Sequence, residues 1–283
     1  MRAPIPILTS IAALAESSDA WIVDIWGVMH NGARAHPAAG AACRAFRKRG
    51  GIVMLLSNAP RPFENVIPHM TSLGVDPDAY DGGVTSGDAT RDMIADWQGK
   101  RLLHIGPERD EPLFAGYDVR LAKADDADVI VCSGLYDDAR ETPADYADLL
   151  GRLAARGIPM ICANPDMLVE RGEEIIYCAG ALAADYEVRG GRVTYAGKPH
   201  APIYERTMRE VARIRGRPVP KESTLCIGDG LETDLLGAHR AGFRSVFIAS
   251  PIFVPEGLDE AVLEKLFASR PFTPQAAMTA LAW

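Results

Sequence analysis

Asp24 ends the apolar run Trp21-Ile22-Val23, and the chain turns straight after it through Ile25-Trp26-Gly27-Val28-Met29-His30-Asn31-Gly32. An apolar run that stops on an acid and then turns is how a buried parallel strand brings a carboxylate to the carboxyl edge of an α/β sheet. Asp24 is therefore the candidate nucleophile. Further along come Leu55-Leu56-Ser57-Asn58, Ala196-Gly197-Lys198-Pro199, and Gly228-Asp229-Gly230 with Thr233-Asp234. Each has an ordinary reading when taken alone: an acid capping a strand, a serine in a turn, a solvated lysine, an acid favoured by a helix dipole. Their order along one chain is what calls for a common explanation.

The elements around them have the right spacing. Pro37–Gly50 reads as a helix with proline in its first turn and glycine at its end, and Ile52–Leu56 as a second buried strand leading to Ser57. A strand, helix, strand unit of this length is parallel and right-handed, so Asp24 and Ser57 should reach one sheet edge and could meet one ligand. Pro60–Leu73 is the next helix, and Thr85-Ser86-Gly87-Asp88 is the N-cap of another, running to about Trp97. Leu102–Ile105, Asp128–Cys132 and Ile158–Cys162 are strand candidates separated by helical stretches such as Pro143–Arg156, which makes a second α/β unit of domain size. The chain is expected to return at Gly180–Glu187, with Val193–Ala196 leading into Lys198. Ala201–Arg215 then reads as a helix, Thr224–Ile227 as a short buried strand, Glu232–Ala241 as a helix stopped by Gly242, and Ser245–Ala249 as a further strand. From Pro251 onward one more helix and a tail are expected.

Composition narrows the class of chemistry. The 283 residues are 48% hydrophobic and 24% charged, an ordinary globular balance with enough chain for one large domain or two moderate ones. No apolar run approaches the ~20 residues of a membrane helix, and the N-terminal stretch, broken by prolines at 4 and 6, makes a poor signal peptide; a cytoplasmic protein is expected. The five cysteines have no metal-type spacing and read as reduced residues of the interior. A net charge of −8 with scattered basic residues leaves no footprint for nucleic acid. Small-molecule chemistry is the class that remains.

In this order and on these elements, the four stretches resemble the motifs of the haloacid dehalogenase-like superfamily, most of whose members are Mg-dependent phosphatases working through an aspartyl-phosphate. Asn164-Pro165-Asp166, Gly180-Ala181-Leu182-Ala183 and Gly197-Lys198-Pro199 place the resemblance with the class IIA branch, similar to nucleotide, 4-nitrophenyl and pyridoxal-phosphate phosphatases. It implies a Rossmann-like, doubly wound parallel-sheet core over 1–86 and 180–283, with an inserted α/β cap over 87–179.

The resemblance also implies roles. Asp24 and Asp229 would be Mg²⁺ ligands with the backbone carbonyl of Trp26, and Asp234 would hold metal-bound water. Ser57 and the Asn58 amide would contact the phosphoryl oxygens, and Lys198 would balance their charge. His30 is close enough to the first strand to contact the ligand, or is a structural histidine; Arg61 meets a substrate anion or is solvated at a helix start. In the cap, the loop that begins with Met167 and Leu168 and continues through Val169, Glu170 and Arg171 would read the leaving group, or its apolar start packs the cap. The partner is a small phosphorylated molecule, and a homodimer through the cap is compatible with the branch.

One position departs from the pattern. The phosphatases usually carry a second acid two residues after the nucleophile, which protonates the leaving alkoxide and then activates water; here Trp26 stands there, and its indole N–H cannot ionise in this range. General acid–base catalysis is worth about 10²–10⁴-fold, so poor alkyl leaving groups suffer most. A phosphatase of activated aryl or acyl phosphates, a degenerate ligand-binding member, and a dehalogenase with an aromatic residue at this position are the three outcomes. The two acids Asp229 and Asp234 count against the last.

Overall fold

The computed structural model describes residues 4–171, 174–250, 254–255 and 257–283, with no side chain described over 170–174. Strands β1 (Ala20–Asp24), β2 (Ile52–Ser57) and β3 (Gly82–Thr85) come first. They are followed by β4 (Arg101–Ile105), β5 (Arg120–Leu121), β6 (Val129–Cys132), β7 (Met160–Cys162), β8 (Leu168–Arg171), β9 (Glu174–Tyr177) and β10 (Val193–Tyr195). The last are β11 (Thr224–Gly228), β12 (Arg244–Ile248) and β13 (Ala276–Met278). The fold is α/β, with two separate parallel sheets and one small hairpin. By internal contacts the chain divides into Met1–Ser57, Ile67–Gly83 and Tyr204–Trp283 as one compact unit, and Asn58–Val66 with Val84–Ile203 as the other.

The first sheet has the order β13-β12-β11-β1-β2-β3. Numbered by their appearance in this sheet and read from β3, its strands run 3-2-1-4-5-6, the doubly wound Rossmann order. β1 lies between β2 and β11 and is parallel to both. All five of its residues are buried, as a strand covered on both faces requires. The helix Pro37–Lys48 turns Ala39, Gly40, Ala42, Cys43 and Phe46 inward, and the Phe46 ring stacks on Trp21 of β1 at 4.0 Å and 5°. Such a pair contributes about 0.5–1.5 kcal/mol beyond its burial, and it holds the helix over the strand that ends in Asp24.

The second sheet has the order β10-β7-β6-β4-β5. One face is filled by Ile130, Cys132, Leu150, Leu153, Leu182 and Tyr186, among others. The opposite face is filled by Ile94, Leu113, Phe114, Val129, Val131 and Ile161. The sheet is thus sandwiched between helices.

Three expectations change. Helix Ala179–Val188 and β10 do not return the chain to the first sheet: Ala179, Leu182, Ala183 and Tyr186 pack in the second unit, and Val193 pairs with Met160 of β7. The apolar run 179–183 is nearly featureless as a pattern, so nothing in it says which sheet it covers. The boundary before the inserted unit is also interrupted, because Asn58–Val66 belongs with the second unit. It is tied there by the helix Ser86–Ile94, whose Thr85 and Asp88 form a capping box. Thr85 Oγ1 donates to Arg61 O at 2.6 Å, and Phe63 N to Asp88 Oδ2 at 3.1 Å. Finally, the tail after helix Glu260–Phe267 is structural, since Ala276–Met278 adds the strand β13 beside β12. All five cysteines are buried thiols, and among the described residues no helix is long and apolar enough to cross a membrane.

Candidate active site

β1 and β11 are neighbours in register, with Val23 opposite Ile227. They are also the two strands at which the order of the first sheet reverses, where open α/β sheets bind ligands outside their carboxyl ends. Asp24 closes β1 and Asp229 follows β11, so both carboxylates leave the sheet side by side. Asp234 reaches the same place from the π-helical turn Leu231–Leu235, a distortion frequent at functional sites. Its Oδ2 accepts from Gly230 N at 3.2 Å and Thr233 Oγ1 at 3.3 Å. One carboxylate oxygen from each of Asp24, Asp229 and Asp234 lies within 4.8 Å of the others, and all three residues are buried.

Three buried carboxylates so close repel one another unless positive charge or protons sit among them. A hard, oxygen-only donor set of this size suits Mg²⁺, which commonly takes carboxylates and keeps several waters. The surrounding backbone is shaped to allow the approach. Gly27 has φ +89, and a Cβ there would lie 2.2 Å from Asp229 Oδ2; a Cβ at Gly228 would lie 2.4 Å from Asp234 Cγ. Only glycine admits both acids at this range.

The loop after β1 is a compact turn. Gly27 N donates to His30 O at 2.8 Å, and His30 N to Ile25 O at 3.2 Å. The Trp26 indole packs over Gly32, where a Cβ would sit 3.2 Å from its Nε1. His30 is 4% exposed, and its Nδ1 accepts from Gly32 N at 3.0 Å. Its ring meets His69 edge-on at 6.1 Å. Burial first, then the charges of His69 and His36, bring its pKa down to about 4, so it is a neutral imidazole whose acceptor is used by the loop itself.

In the second unit, Asn58 and Lys198 are locked together. Lys198 N donates to Asn58 Oδ1 at 2.7 Å, and Asn58 Nδ2 donates to Lys198 O at 3.0 Å and to Asp166 Oδ1 at 2.8 Å. A Cβ on Gly197 would lie 2.4 Å from Asn58 Oδ1, so that glycine is what lets the two segments meet. The Asn58 side chain is thereby committed to positioning Lys198, which is itself 3% exposed. Ser57, one residue earlier, ends β2 beside β1.

Met167 and Leu168 stand at the start of the β8–β9 hairpin and are 51% and 49% exposed. They do not fill the second unit's interior, so that alternative is removed. The side chains of Glu170 and Arg171 lie outside the described residues.

Two participants were not anticipated. Asp166 anchors Asn58, although only its place in Asn164-Pro165-Asp166 had drawn notice. Tyr204, in helix Ala201–Arg215, is 3% exposed, and its hydroxyl donates to Thr233 O at 3.5 Å. Burial, then Cys226, Asp234 and Asp24, push its pKa well above the ordinary value. A lone tyrosine on a helix face offers no sequence signal of this.

A doubly wound parallel sheet with acids converging at its switch point is the site of a Rossmann-like α/β protein, and its relatives give the family. Residues 21–120 match haloacid dehalogenase-like hydrolases and residues 195–269 a HAD-hydrolase-like family. A solved hydrolase of the haloacid dehalogenase-like family from Brucella suis 1330 is 44% identical, covers 96% of this chain and 99% of its own, and superposes with a TM-score of 0.85. The chain belongs to the haloacid dehalogenase-like family. It is also similar to the ribonucleotide monophosphatase NagD of Escherichia coli K12, at 27% identity over 89% of this chain and 92% of that one. The D-glycerol 3-phosphate phosphatase of Mycobacterium tuberculosis is 26% identical over 85% of this chain and 65% of its own length.

Proposed function

We propose that this protein is a Mg-dependent hydrolase of small phosphorylated metabolites that works through an aspartyl-phosphate on Asp24. The observation that carries the reading is the buried convergence of Asp24, Asp229 and Asp234 at the sheet's switch point. Relatives named as phosphatases of a nucleotide and of a glycerol phosphate support the substrate class.

A phosphate monoester dianion repels a carboxylate, so charge must be offset before attack. Asp24, Asp229, the Trp26 carbonyl and, through water or directly, Asp234 would hold Mg²⁺, which would supply positive charge beside the phosphoryl oxygens. An Asp24 carboxylate oxygen attacks phosphorus, and the bond from phosphorus to the ester oxygen breaks with its electron pair going to that oxygen. Water then cleaves the acyl phosphate, releasing phosphate and restoring Asp24. Ser57 and the Asn58 amide donate to the phosphoryl oxygens, and Lys198 offsets their charge from the position Asn58 gives it.

Trp26 decides which esters react. With no ionisable group two residues after the nucleophile, the departing oxygen is not protonated from that position, so aryl and acyl phosphates are favoured over alkyl phosphates. The same residue motivates a second reading, a descendant that binds a phosphorylated ligand without turning it over.

Hydrolysis of 4-nitrophenyl phosphate and acetyl phosphate against alkyl phosphates, with and without Mg²⁺, separates the two. The first reading expects Mg-dependent turnover of the activated esters that disappears in Asp24→Asn. Trp26→Asp should then raise alkyl ester turnover by about 10²-fold or more. Phosphate binding with no turnover of any ester would establish the second reading.

A further inference from the structure

A cavity of about 220 Å³ opens at the amino edge of the first sheet. Arg244 and Ser245, which begin β12, line it together with Gln275, just before β13, and with His239, Phe243 and Phe272. All of these residues belong to one compact unit. Arg244 stands opposite Leu225 in the parallel pairing of β12 with β11. From that level the chain rises by about 13 Å along β11 before it reaches Asp229. The cavity and the three acids are therefore at opposite edges of the same sheet. Pockets that hold drug-sized molecules are about 300–1,000 Å³, so this one suits a fragment of about ten non-hydrogen atoms.

Charge around the cavity is one-sided. Arg244 Nη1 donates to Ser17 Oγ at 2.9 Å, and Nη2 donates to Ser17 O at 2.8 Å and Ser18 Oγ at 3.0 Å. These partners are all neutral, and among the described residues no carboxylate pairs with Arg244. Burial alone acts on its pKa, downwards. Its Nε is closed off and takes no part. Setting these bonds and the closed Nε against the donors of a guanidinium leaves one Nη1–H. Lys221 Nζ lies 5.6 Å from the centroid of the Phe243 ring and donates to Ala241 O, another neutral partner. Arg270, over the Phe272 ring, is offset by Glu232. No acid is among the lining residues. In a chain of net charge −8, this is a local positive field, which draws anions.

Ser245 supplies a donor. It is 8% exposed. Its carbonyl accepts from Gln275 N at 2.8 Å, which ties the two walls together, while its hydroxyl has no partner among the described residues. A half-buried cation with no counter-charge is costly, and an anion beside it recovers that cost. One uncompensated charge matches a monoanion better than the dianion of a phosphate monoester. The Phe243 and Phe272 rings offer an apolar wall to the rest of such a molecule.

We propose that this cavity is a second ligand site, separate from the phosphoryl site, for a small monocarboxylate with an apolar or aromatic body. The Ser245 hydroxyl donates to the carboxylate, Arg244 supplies the opposing charge, and the body lies against Phe243 and Phe272.

The test is an NMR titration of the full chain in Mg²⁺, with benzoate as the probe and benzamide as its neutral isostere. The Ser245 and Gln275 amide signals should shift with benzoate and saturate with a Kd of about 10 mM or below, and benzamide should bind about tenfold more weakly. Ser245→Ala should weaken benzoate about tenfold. Gln275 is exposed, and Gln275→Glu keeps its backbone N–H while adding a negative charge to the wall. That variant should weaken benzoate about five- to tenfold, and Gln275→Lys should strengthen it by a similar factor. Asp24→Asn should bind benzoate as the wild type does. The site is overturned if benzoate does not saturate, if benzamide binds as well, or if Ser245→Ala and the two Gln275 variants leave the affinity unchanged. It is equally overturned if Asp24→Asn alters benzoate binding, because the probe would then be lodged among the acids.

Discussion

Replacing Gly27 by alanine tests how closely the backbone after β1 is built around Asp229. Gly27 has φ +89, a left-handed conformation that costs a residue with a Cβ about 1–2 kcal/mol. The added methyl would lie 2.2 Å from Asp229 Oδ2 and 2.5 Å from its Cγ. Ordinary contact distances require the carboxylate to retreat by about 1 Å, and a displacement of that size at a reacting centre costs about 10²-fold, or about 2.7 kcal/mol of barrier. Gly50→Ala separates the two effects: Gly50 has φ +86, but nothing lies within 4 Å of its added Cβ. Both variants should lose similar stability by urea denaturation. Only Gly27→Ala should lose about 10²-fold in kcat/KM for 4-nitrophenyl phosphate, together with the rise in Tm that Mg²⁺ gives the wild type. Gly27→Ala with wild-type activity and an intact Mg²⁺-dependent Tm shift would refute the placement of Asp229 as a metal ligand.

The remaining predictions concern the two loops. Asn58→Ala removes three hydrogen bonds, two to the Lys198 backbone and one to Asp166. At about 1 kcal/mol each, the loss is roughly 3 kcal/mol, read as a lower urea midpoint alongside a raised KM; an unchanged midpoint and KM would show that Lys198 is positioned by something else. His30, with its pKa down at about 4, binds fewer protons folded than unfolded between that value and 6.5. Stability should therefore be fully present above pH 6.5 and decline as pH falls through that window, by about 3 kcal/mol for this group. His104, also near 4 through burial, adds to the same slope. His30→Asn should accordingly flatten the slope in part, and an unaltered pH dependence of unfolding would show that His30 is not buried neutral.

What could be read from the residues was the local chemistry of strand ends. Asp24 and Asp229 were legible because each closes an apolar run at a turn, and parallel pairing then has to bring them to one edge. The alternation of strands and helices pointed to parallel pairing, whereas the doubly wound order was implied by the resemblance of the four motifs and not by the alternation. The assignment of Ala179–Val188 and Val193–Tyr195 to the second sheet was not legible, since an alanine-rich helix buried on most sides and a three-residue strand fit either sheet equally well. β13 was missed for a related reason: Ala276–Met278 is too short and too rich in alanine to announce a strand, and it is defined only by its partner, β12. The link from Asn58 to Asp166 and Lys198 spans 108 and 140 residues, a separation across which no local pattern carries information. The Arg61–Asp110 ion pair belongs to the same class, because it exists only once the two loops have been brought together.

The central claim is that Asp24 is the nucleophile, and Trp26 makes it directly observable. Without a carboxylate two residues on to activate water, hydrolysis of the aspartyl-phosphate should be slower than its formation from an aryl ester. Rapid mixing of the enzyme with 4-nitrophenyl phosphate and Mg²⁺, followed by acid quench and mass spectrometry of the peptide containing Asp24, measures this. The account predicts a burst of 4-nitrophenol approaching one equivalent per active site, with phosphate on Asp24 and none in Asp24→Asn. Steady turnover without a burst and with Asp24 unmodified, or a burst that persists in Asp24→Asn, would contradict it.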